Sequence, residues 1–551
     1  MIQSFLKPKP DTMSSSAGNA AALNDLNKFE HVVVLMMENR SFDNVLGNLY
    51  NAADLPSGTK FAGLQFDGPY SNTIPSYMQD GHGGKKLCTY SADDLTQPYP
   101  DPGEEYPHIN TQLYGHIDKK NMGKLAYQMK RPYNLPKPVP ATAAMDGFIN
   151  DYISNLQSTF ADEPLSQVTY DQYKVIMQCF DNEQLPVLST LAKGFAVFDH
   201  WFCSVPSQTW CNRAFWHAAT SGGKVINPLE EYGNCWLTKI FDDFSEMHSW
   251  IRHVWSKETI FDRLSKNNVS WNIYSHIWPL SLTALVHGDK YVWGTKEFTT
   301  FQKDVDAGTL PQYSFLEPQF MFRHNDMHPF SESKHTVPAT LKLGEKLILD
   351  VYNTIRCSDK YRDNTLLIIT FDEHGGCYDH VAPPAVAVPP APGKGQMGFG
   401  FNRPGIRVPT VMISSWIQPN TIVNNEFEHT SFIRTISEKW ALGHLTNRDD
   451  CVKPFTGSNL FSTEMRTTPW PEISMKDEDL RELAASTEFD KDDDEPNHLQ
   501  YAMLNALLYL EKKRKLPRTP RAAVKTNGDM RILLNKLNAD IAGEMRSVSG
   551  V

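Results

Sequence analysis

The chain reads as an α/β fold with a largely parallel central sheet flanked by helices, and two apolar runs carry that expectation. Val32 to Met37 forms six unbroken apolar residues, and Thr365 to Phe371, TLLIITF, forms another such run. Runs of that length, rich in valine, isoleucine and leucine, suit strands buried on both faces. Each run passes directly into polar residues, ENRSFD at 38–43 and DEHGG at 372–376. Open α/β sheets gather their ligands at the carboxyl ends of such strands.

The remaining elements follow in chain order. Residues 1–28, rich in Ser, Ala and Asn with early prolines, read as a flexible N-terminal arm. After the first strand, Ser41 to Asn44 opens a short helix through Phe42, Val45, Leu46 and Leu49. Residues from about 51 to 140, dense in Gly, Pro, Tyr and Asp, read as a long irregular insertion that includes DPGEEYPH, ending at His108. Leu185 to Ala192 has helical spacing, and Phe195 to Phe198 reads as a short buried strand. A second insertion spans about 225–335, with six of the twelve tryptophans between 236 and 293. Leu341 to Ile355 has helical spacing, Arg407 to Ser414 is a third strand pattern, and a helix follows from about Thr430 to Trp440. Residues 29–460 thus read as the main domain. Residues 461–551 read as a charged, partly helical C-terminal appendage: acidic at 476–495, basic at 512–525, with helical patterns at Leu499–Leu510 and Met530–Ile541.

Net charge excludes one function class. At −11, the chain is not a generic nucleic-acid binder. The eight cysteines are scattered without a CxxC pair and do not form a disulfide scaffold. No apolar core of signal-peptide length opens the chain, and no stretch of about 18 apolar residues could span a bilayer. A soluble protein without a cleavable signal peptide is expected, cytoplasmic or exported by a signal-independent route.

The chemistry lies in three segments. Glu38, Asn39, Asp372 and Glu373 offer hard oxygen ligands that suit a divalent cation, and two adjacent carboxylates left unneutralised would be electrostatically unfavourable. Gly375 and Gly376 let the backbone turn sharply and approach a ligand. The third segment is SVPSQTWCNRAFWHAATSGG, 204–223, where Thr209 stands just ahead of an expected helix. Such a hydroxyl is either an ordinary N-cap or a nucleophile aimed at a phosphate held by the helix N-terminus, and position alone leaves both open. Arg213, four residues on, suits bidentate recognition of phosphoryl oxygens.

ENRSFD, T-x-x-N-R at 209–213 and DEHGG, in this order, resemble the phosphoesterase family of bacterial phospholipases C, acid phosphatases and plant non-specific phospholipases C. FLEP at 315–318, NDMHP at 325–329, GIRVP at 405–409 and EHTSFIR at 428–434 extend the resemblance across roughly residues 29 to 440. It implies an alkaline phosphatase-like core. It further implies Glu38, Asn39, Thr209, Asp372 and Glu373 as metal ligands, with Thr209 also the nucleophile, and Arg213, His108 and His328 serving the phosphate or the leaving group. Asn212, Arg213 and His374 would then contact substrate. The family commonly reads T-H-P-N-R, whereas this chain reads Thr209-Trp210-Cys211-Asn212-Arg213, which places apolar Trp210 at the mouth of the site and removes a helix-starting proline.

The implied reaction is two-step phosphoryl transfer through a phosphoenzyme, aided by a divalent cation of open identity: Mg, Ca, Mn or Zn. The expected substrate is a phospholipid phosphodiester. A phosphomonoester of acid phosphatase type is the alternative, and a non-catalytic phospho-ligand-binding protein is the other. The aromatic stretches SWIRHVW and SWNIYSHIWPL, within 225–295, read either as an acyl-chain site or membrane-interface rim, giving a peripheral membrane contact, or as ordinary core. The sequence leaves the oligomeric state open.

Overall fold

Eight strands build the central sheet: β1 (His31–Met37), β2 (Ala196–Phe198), β3 (Trp271–Ser275), β4 (Thr295–Glu297), β5 (Tyr313–Leu316), β6 (Thr365–Phe371), β7 (Thr410–Ile413) and β8 (Thr421–Val423). The computed structural model describes residues 24–549 except 67, 92–93, 160–167, 229–244, 322–323, 330–339, 486–491, 493–495 and 497. Strand order across the sheet is β8-β2-β7-β6-β1-β5-β3-β4. All neighbours pair in parallel except the two contacts of β7, which runs antiparallel to β6 and β2.

β1 is central, and the side chains of Val32 to Met37 are fully buried, as the unbroken apolar run requires. Enclosing a side chain of that size is worth about 1.5–3 kcal/mol. Register then decides where the chemistry falls. β1 pairs with β6 along its whole length, from His31 opposite Thr365 to Met37 opposite Phe371. The two strands therefore end level, and residues 38–39 leave the sheet beside residues 372–373.

The principal helices are α1 (Phe42–Leu46), α2 (Tyr106–Tyr114), α3 (Phe148–Thr159), α4 (Pro186–Gly194), α5 (Thr209–Ala218), α6 (Thr340–Arg356), α7 (His429–Trp440), α8 (His498–Lys513) and α9 (Asn527–Ser549). Ser41 caps α1 by accepting from the Asn44 amide at 3.2 Å. Glu345 on α6 caps α4, accepting from the amides of Val187 (2.6 Å) and Leu188 (2.9 Å).

The stretch 225–335 is not an insertion, because it supplies β3, β4 and β5, three strands of the sheet itself. These strands are three to five residues long and rich in aromatics, so no long apolar run announces them. Residues 51–140 are irregular apart from short elements, but they include α2, whose residues 106–113 are buried. Of the expected N-terminal arm, residues 1–23 lie outside the described residues, whereas Leu26 packs into the main core and Lys28 pairs with Asp25 at 2.6 Å. The C-terminal stretch, appended in sequence, is packed onto the body: Leu504, Leu507, Leu533 and Leu537 belong to the same core as the sheet. Most of its acidic run DKDDDE lies outside the described residues. No described helix is long and apolar enough to cross a membrane.

Candidate active site

The level ends of β1 and β6 bring four of the expected residues together. Asn39 turns through a left-handed conformation (φ 56°), and its backbone N–H donates to Asp372 Oδ1 at 3.2 Å. The Glu373 amide donates to the same oxygen at 2.8 Å. Gly375 (φ 62°) and Gly376 (φ 66°) follow, and the space a Cβ would need is filled by the Asn39 backbone at the first and by Pro102 and Gly103 at the second. The glycines therefore permit close approach of two other loops rather than of a ligand.

Helix α5 forms the third wall. Thr209 is its first residue and Gln208 its N-cap, so the Thr209 hydroxyl is not a cap. It donates instead to Asn39 Oδ1 at 3.2 Å. One turn on, Arg213 inserts between two strand ends: Nε donates to Asp372 Oδ2 at 3.0 Å and Nη2 lies 3.4 Å from Glu38 Oε1. The guanidinium lies over the Phe320 ring at 4.8 Å. The bidentate phosphate clamp expected of Arg213 is thus largely taken up in carboxylate pairing, and Nη1 is the part without an acceptor.

Two further expectations are corrected on α5. The Asn212 side chain faces the loop before the helix, bonding to the backbone of Val205, Ser207 and Gln208, so it shapes the approach to Thr209 instead of touching substrate. Trp210 is fully buried against Trp250 (ring centroids 5.4 Å apart), in the core and not at the mouth. Burial likewise pushes the Cys211 thiol up to about 12, which leaves it inert.

Sequence reading missed Glu104. It is buried, and its carboxylate accepts from Asn39 Nδ2 and, at 3.2 Å, from Gln208 Nε2. It also lies in hydrogen-bonding reach of the Glu373 carboxylate. The only signal for it was its place in the non-periodic DPGEEYPH stretch. Asn39 Nδ2 also faces His328 Nε2 at 2.8 Å. Its two protons are thereby committed to Glu104 and His328, which turns Oδ1 toward Thr209.

Electrostatically the site is starved of positive charge. Burial, then repulsion from Asp372, raises Glu38 well above the usual carboxylate range, and the same two causes raise Glu373. Burial, then Glu373, does the same to Glu104. Burial also raises Asp372, against the opposing pull of Arg213. Glu38 Oε2 and Glu373 Oε1 are buried with no hydrogen-bond donor. Donorless buried carboxylate oxygens are what a divalent cation would neutralise, so the chemistry of these residues fits such an ion. Among the described residues, two groups of three side chains hold potential ligand atoms within 4.8 Å of one another, Asp101–Glu104–His328 and Asp43–Asp379–His380. Glu38, Asp372 and Glu373 do not form a third, Arg213 standing between the first two.

The histidines divide. His328 Nδ1 faces the Pro329 carbonyl and must donate to it, so Nε2 is the acceptor for Asn39, and burial holds the ring down to about 4. Burial thus favours the neutral ring, whose single N–H is held by the Pro329 carbonyl, so this geometry lends no support to its expected part as a leaving-group acid. Burial opposes charge on His108, but Asp151 at 3.0 Å outweighs it and raises the ring to about 9. His374 bonds through Nε2 to Gln112 Oε1 at 2.8 Å, with Nδ1 3.2 Å from Glu373 Oε2, and burial lowers it to about 3. It is a brace, not the substrate contact expected. Gln112 in turn donates to Asp151 at 2.9 Å, linking His374 to the His108 pair, while His374 Nδ1 has no hydrogen-bond partner. The other quoted motifs also support from behind. Glu317 of FLEP caps the helix at 282–287 through the amides of Leu282 and Thr283, and His429 Nε2 donates to the Asp372 carbonyl at 2.7 Å.

The phosphoesterase family pattern matches residues 29–443. The chain is 31% identical to non-specific phospholipase C6 of Arabidopsis thaliana over 83% of its own length and 78% of that protein. It is 33% identical to non-specific phospholipase C1 of the same plant over 76% and 68%, and 24% identical to phospholipase C A of Mycobacterium tuberculosis over 80% and 79%. Among solved structures, an alkaline phosphatase superfamily protein from Vibrio parahaemolyticus is 13% identical with a TM-score of 0.27, covering 49% of this chain and 67% of that one. The chain belongs to the phosphoesterase family and is a phosphoric ester hydrolase.

Proposed function

We propose that this phosphoesterase is a metal-dependent enzyme of phospholipase C type that cleaves phospholipid phosphodiesters through Thr209. The observation that carries the reading is the meeting of the Thr209 hydroxyl with Asn39 at 3.2 Å, beside buried carboxylates whose oxygens lack donors. Glu38, Asn39, Asp372, Glu373 and Thr209 would hold the divalent cation, which supplies Lewis-acid polarisation and lowers the pKa of the hydroxyl. Its identity is open among Mg, Ca, Mn and Zn, with the oxygen-rich donors leaning toward the harder ions.

The Thr209 hydroxyl releases its proton to solvent as its oxygen attacks phosphorus in line, the P–O bond to diacylglycerol breaks, and a phosphothreonine carrying the head group forms. Water then displaces the phosphoryl group and restores the hydroxyl. Arg213 keeps Glu38 and Asp372 in place and presents Nη1 to the phosphate. The departing alkoxide takes a proton from His108, the one of the three candidate histidines held protonated at neutral pH. The names of the relatives support a phosphodiester over the phosphomonoester alternative. For peripheral membrane contact the support is exposed aromatic surface, Trp278 at 37% and Trp293 at 50% exposure, while Trp250 is core.

Purified protein supplied with each of the four metals is to be assayed on phosphatidylcholine and on p-nitrophenyl phosphate, beside Thr209→Ala. Turnover of phosphatidylcholine that falls at least about 10³-fold in the variant supports the reading. Equal turnover by the variant removes Thr209 as nucleophile. Activity in neither assay favours a non-catalytic phospho-ligand-binding role.

A further inference from the structure

We propose that Glu104 is an additional ligand of the cation, and that its charge biases the site toward phosphodiesters. This rests on the metal-dependent reading above and adds a residue outside the ligand set drawn from the motifs. Three observations converge. Glu104 touches two members of that set, the Asn39 amide and the Glu373 carboxylate, and reaches Gln208, the neighbour of Thr209. The Glu104 and Glu373 carboxyls lie within hydrogen-bonding reach of one another, and Glu373 Oε1 is buried without any hydrogen-bond partner. Asp101 and His328 bring ligand atoms within 4.8 Å of Glu104, so the pocket around it is lined by donor atoms that metals accept.

Arg213 does not relieve this contact, since its bonds run to Glu38 and Asp372. Each Glu104 oxygen accepts one amide proton and keeps a second lone pair for an ion. The approach of the 101–104 loop is built in, because Gly376 has no side chain where Pro102 and Gly103 pack. The consequence for substrate is electrostatic. Glu38, Glu104, Asp372 and Glu373, with Asp101 beside them, outnumber the charge of one guanidinium and one divalent cation and leave the site net negative. A diester monoanion meets that residual charge at half the repulsion felt by a monoester dianion. Four carboxylates also favour Mg, Mn or Ca over Zn.

The test is Mn2+ titration of the full chain, followed by the EPR signal of free Mn2+, for wild type, Glu104→Gln and Glu104→Asp. Binding weakened by about 10-fold or more in Glu104→Gln, with Glu104→Asp in between, is expected. In parallel, the ratio of p-nitrophenyl phosphate to phosphatidylcholine turnover should rise in Glu104→Gln. Equal or tighter Mn2+ binding by Glu104→Gln overturns the ligand role, tighter binding showing that the pair shares a proton instead. A weakened affinity with an unchanged turnover ratio overturns the substrate bias. Wild-type protein that leaves all Mn2+ free overturns the metal reading itself, which separates that failure from failure at Glu104.

Discussion

Two buried carboxylate clusters lie at the ends of the same two strands and differ in how their oxygens are satisfied. Asp43 and Asp379, a few residues beyond the strand ends, have a donor on every oxygen: Arg407 at 2.9 Å on each, His380 on Asp43, and backbone amides on both. Burial works against the Asp43 charge, but His380 and Arg407 outweigh it and hold the carboxyl below its ordinary value, whereas burial leaves Asp379 raised against the pull of Arg407. In the second cluster the one guanidinium meets only Glu38 and Asp372, Glu38 and Glu373 each keep a donorless oxygen, and Glu38, Glu104, Asp372 and Glu373 are all raised. The first cluster is a finished ion network that ties the turn after β1 to the segment leading into β7. The second, on the metal-dependent reading proposed above, would be completed by a cation supplied from outside. Acidic residues alone therefore do not mark a metal site; unmatched ones do.

The comparison can be broken most directly at Arg407. Arg407→Gln removes the shared partner of two buried carboxylates and should lower unfolding free energy by about 3–5 kcal/mol in a denaturant titration, with metal stoichiometry unchanged. A stable variant would show that the two clusters do not differ in the way described. The counterpart is Glu38→Gln. It relieves repulsion in metal-free protein, so its Tm under chelator should equal or exceed wild type, while metal affinity falls more than about 100-fold in the titration described above.

Metal removal should destabilise wild type by about 2.7 kcal/mol relative to protein at 100 times Kd, read as a Tm difference of several degrees. That difference has a sign in pH. Carboxyls raised in the folded, metal-free state contribute stability below their unfolded value near 4.5, and lose it as pH rises toward their folded values. Stripped protein should therefore fall behind loaded protein progressively from about pH 4.5 to 7, and a gap that narrows over this window would contradict the assignment. Asp43 behaves oppositely, contributing above its unfolded value and losing it as pH falls.

The smallest effect concerns His108. Its raised value makes its contribution complete below about 6.5 and lost as pH rises through about 9. Asp151→Asn should bring its NMR titration midpoint down by more than one pH unit, with only Glu105, 3.9 Å from Nε2, left to oppose burial, and flatten the alkaline decline in Tm. An unmoved midpoint would remove Asp151 as the cause.

How much of this was legible beforehand depended on run length and on what each polar group faces. β1 and β6 announced themselves as unbroken apolar runs, and the level register that joins their ends needed no more than a parallel pair. β3, β4 and β5 did not, because strands of three to five residues with polar members such as Asn272, Lys296 and Ser314 carry no period. Thr209 and Arg213 were found by spacing. That Arg213 would turn back onto Glu38 and Asp372 depends on tertiary placement that spacing does not encode. Glu104 lies in a loop without periodicity, where a glutamate is ordinarily solvated. Its burial follows from glycines more than 270 residues away, at 375 and 376.

The position of β1 has a consequence during synthesis. It precedes the other seven strands of its sheet in the chain, yet its partners on either side are residues 313–316 and 365–371. About 280 residues must follow before even the nearer partner exists, which at 5–20 residues per second is roughly 15–60 s. For that interval the most apolar strand of the nascent chain has no edge to join, so ribosome-bound chains halted before residue 313 should recruit holdase chaperones to residues 31–37.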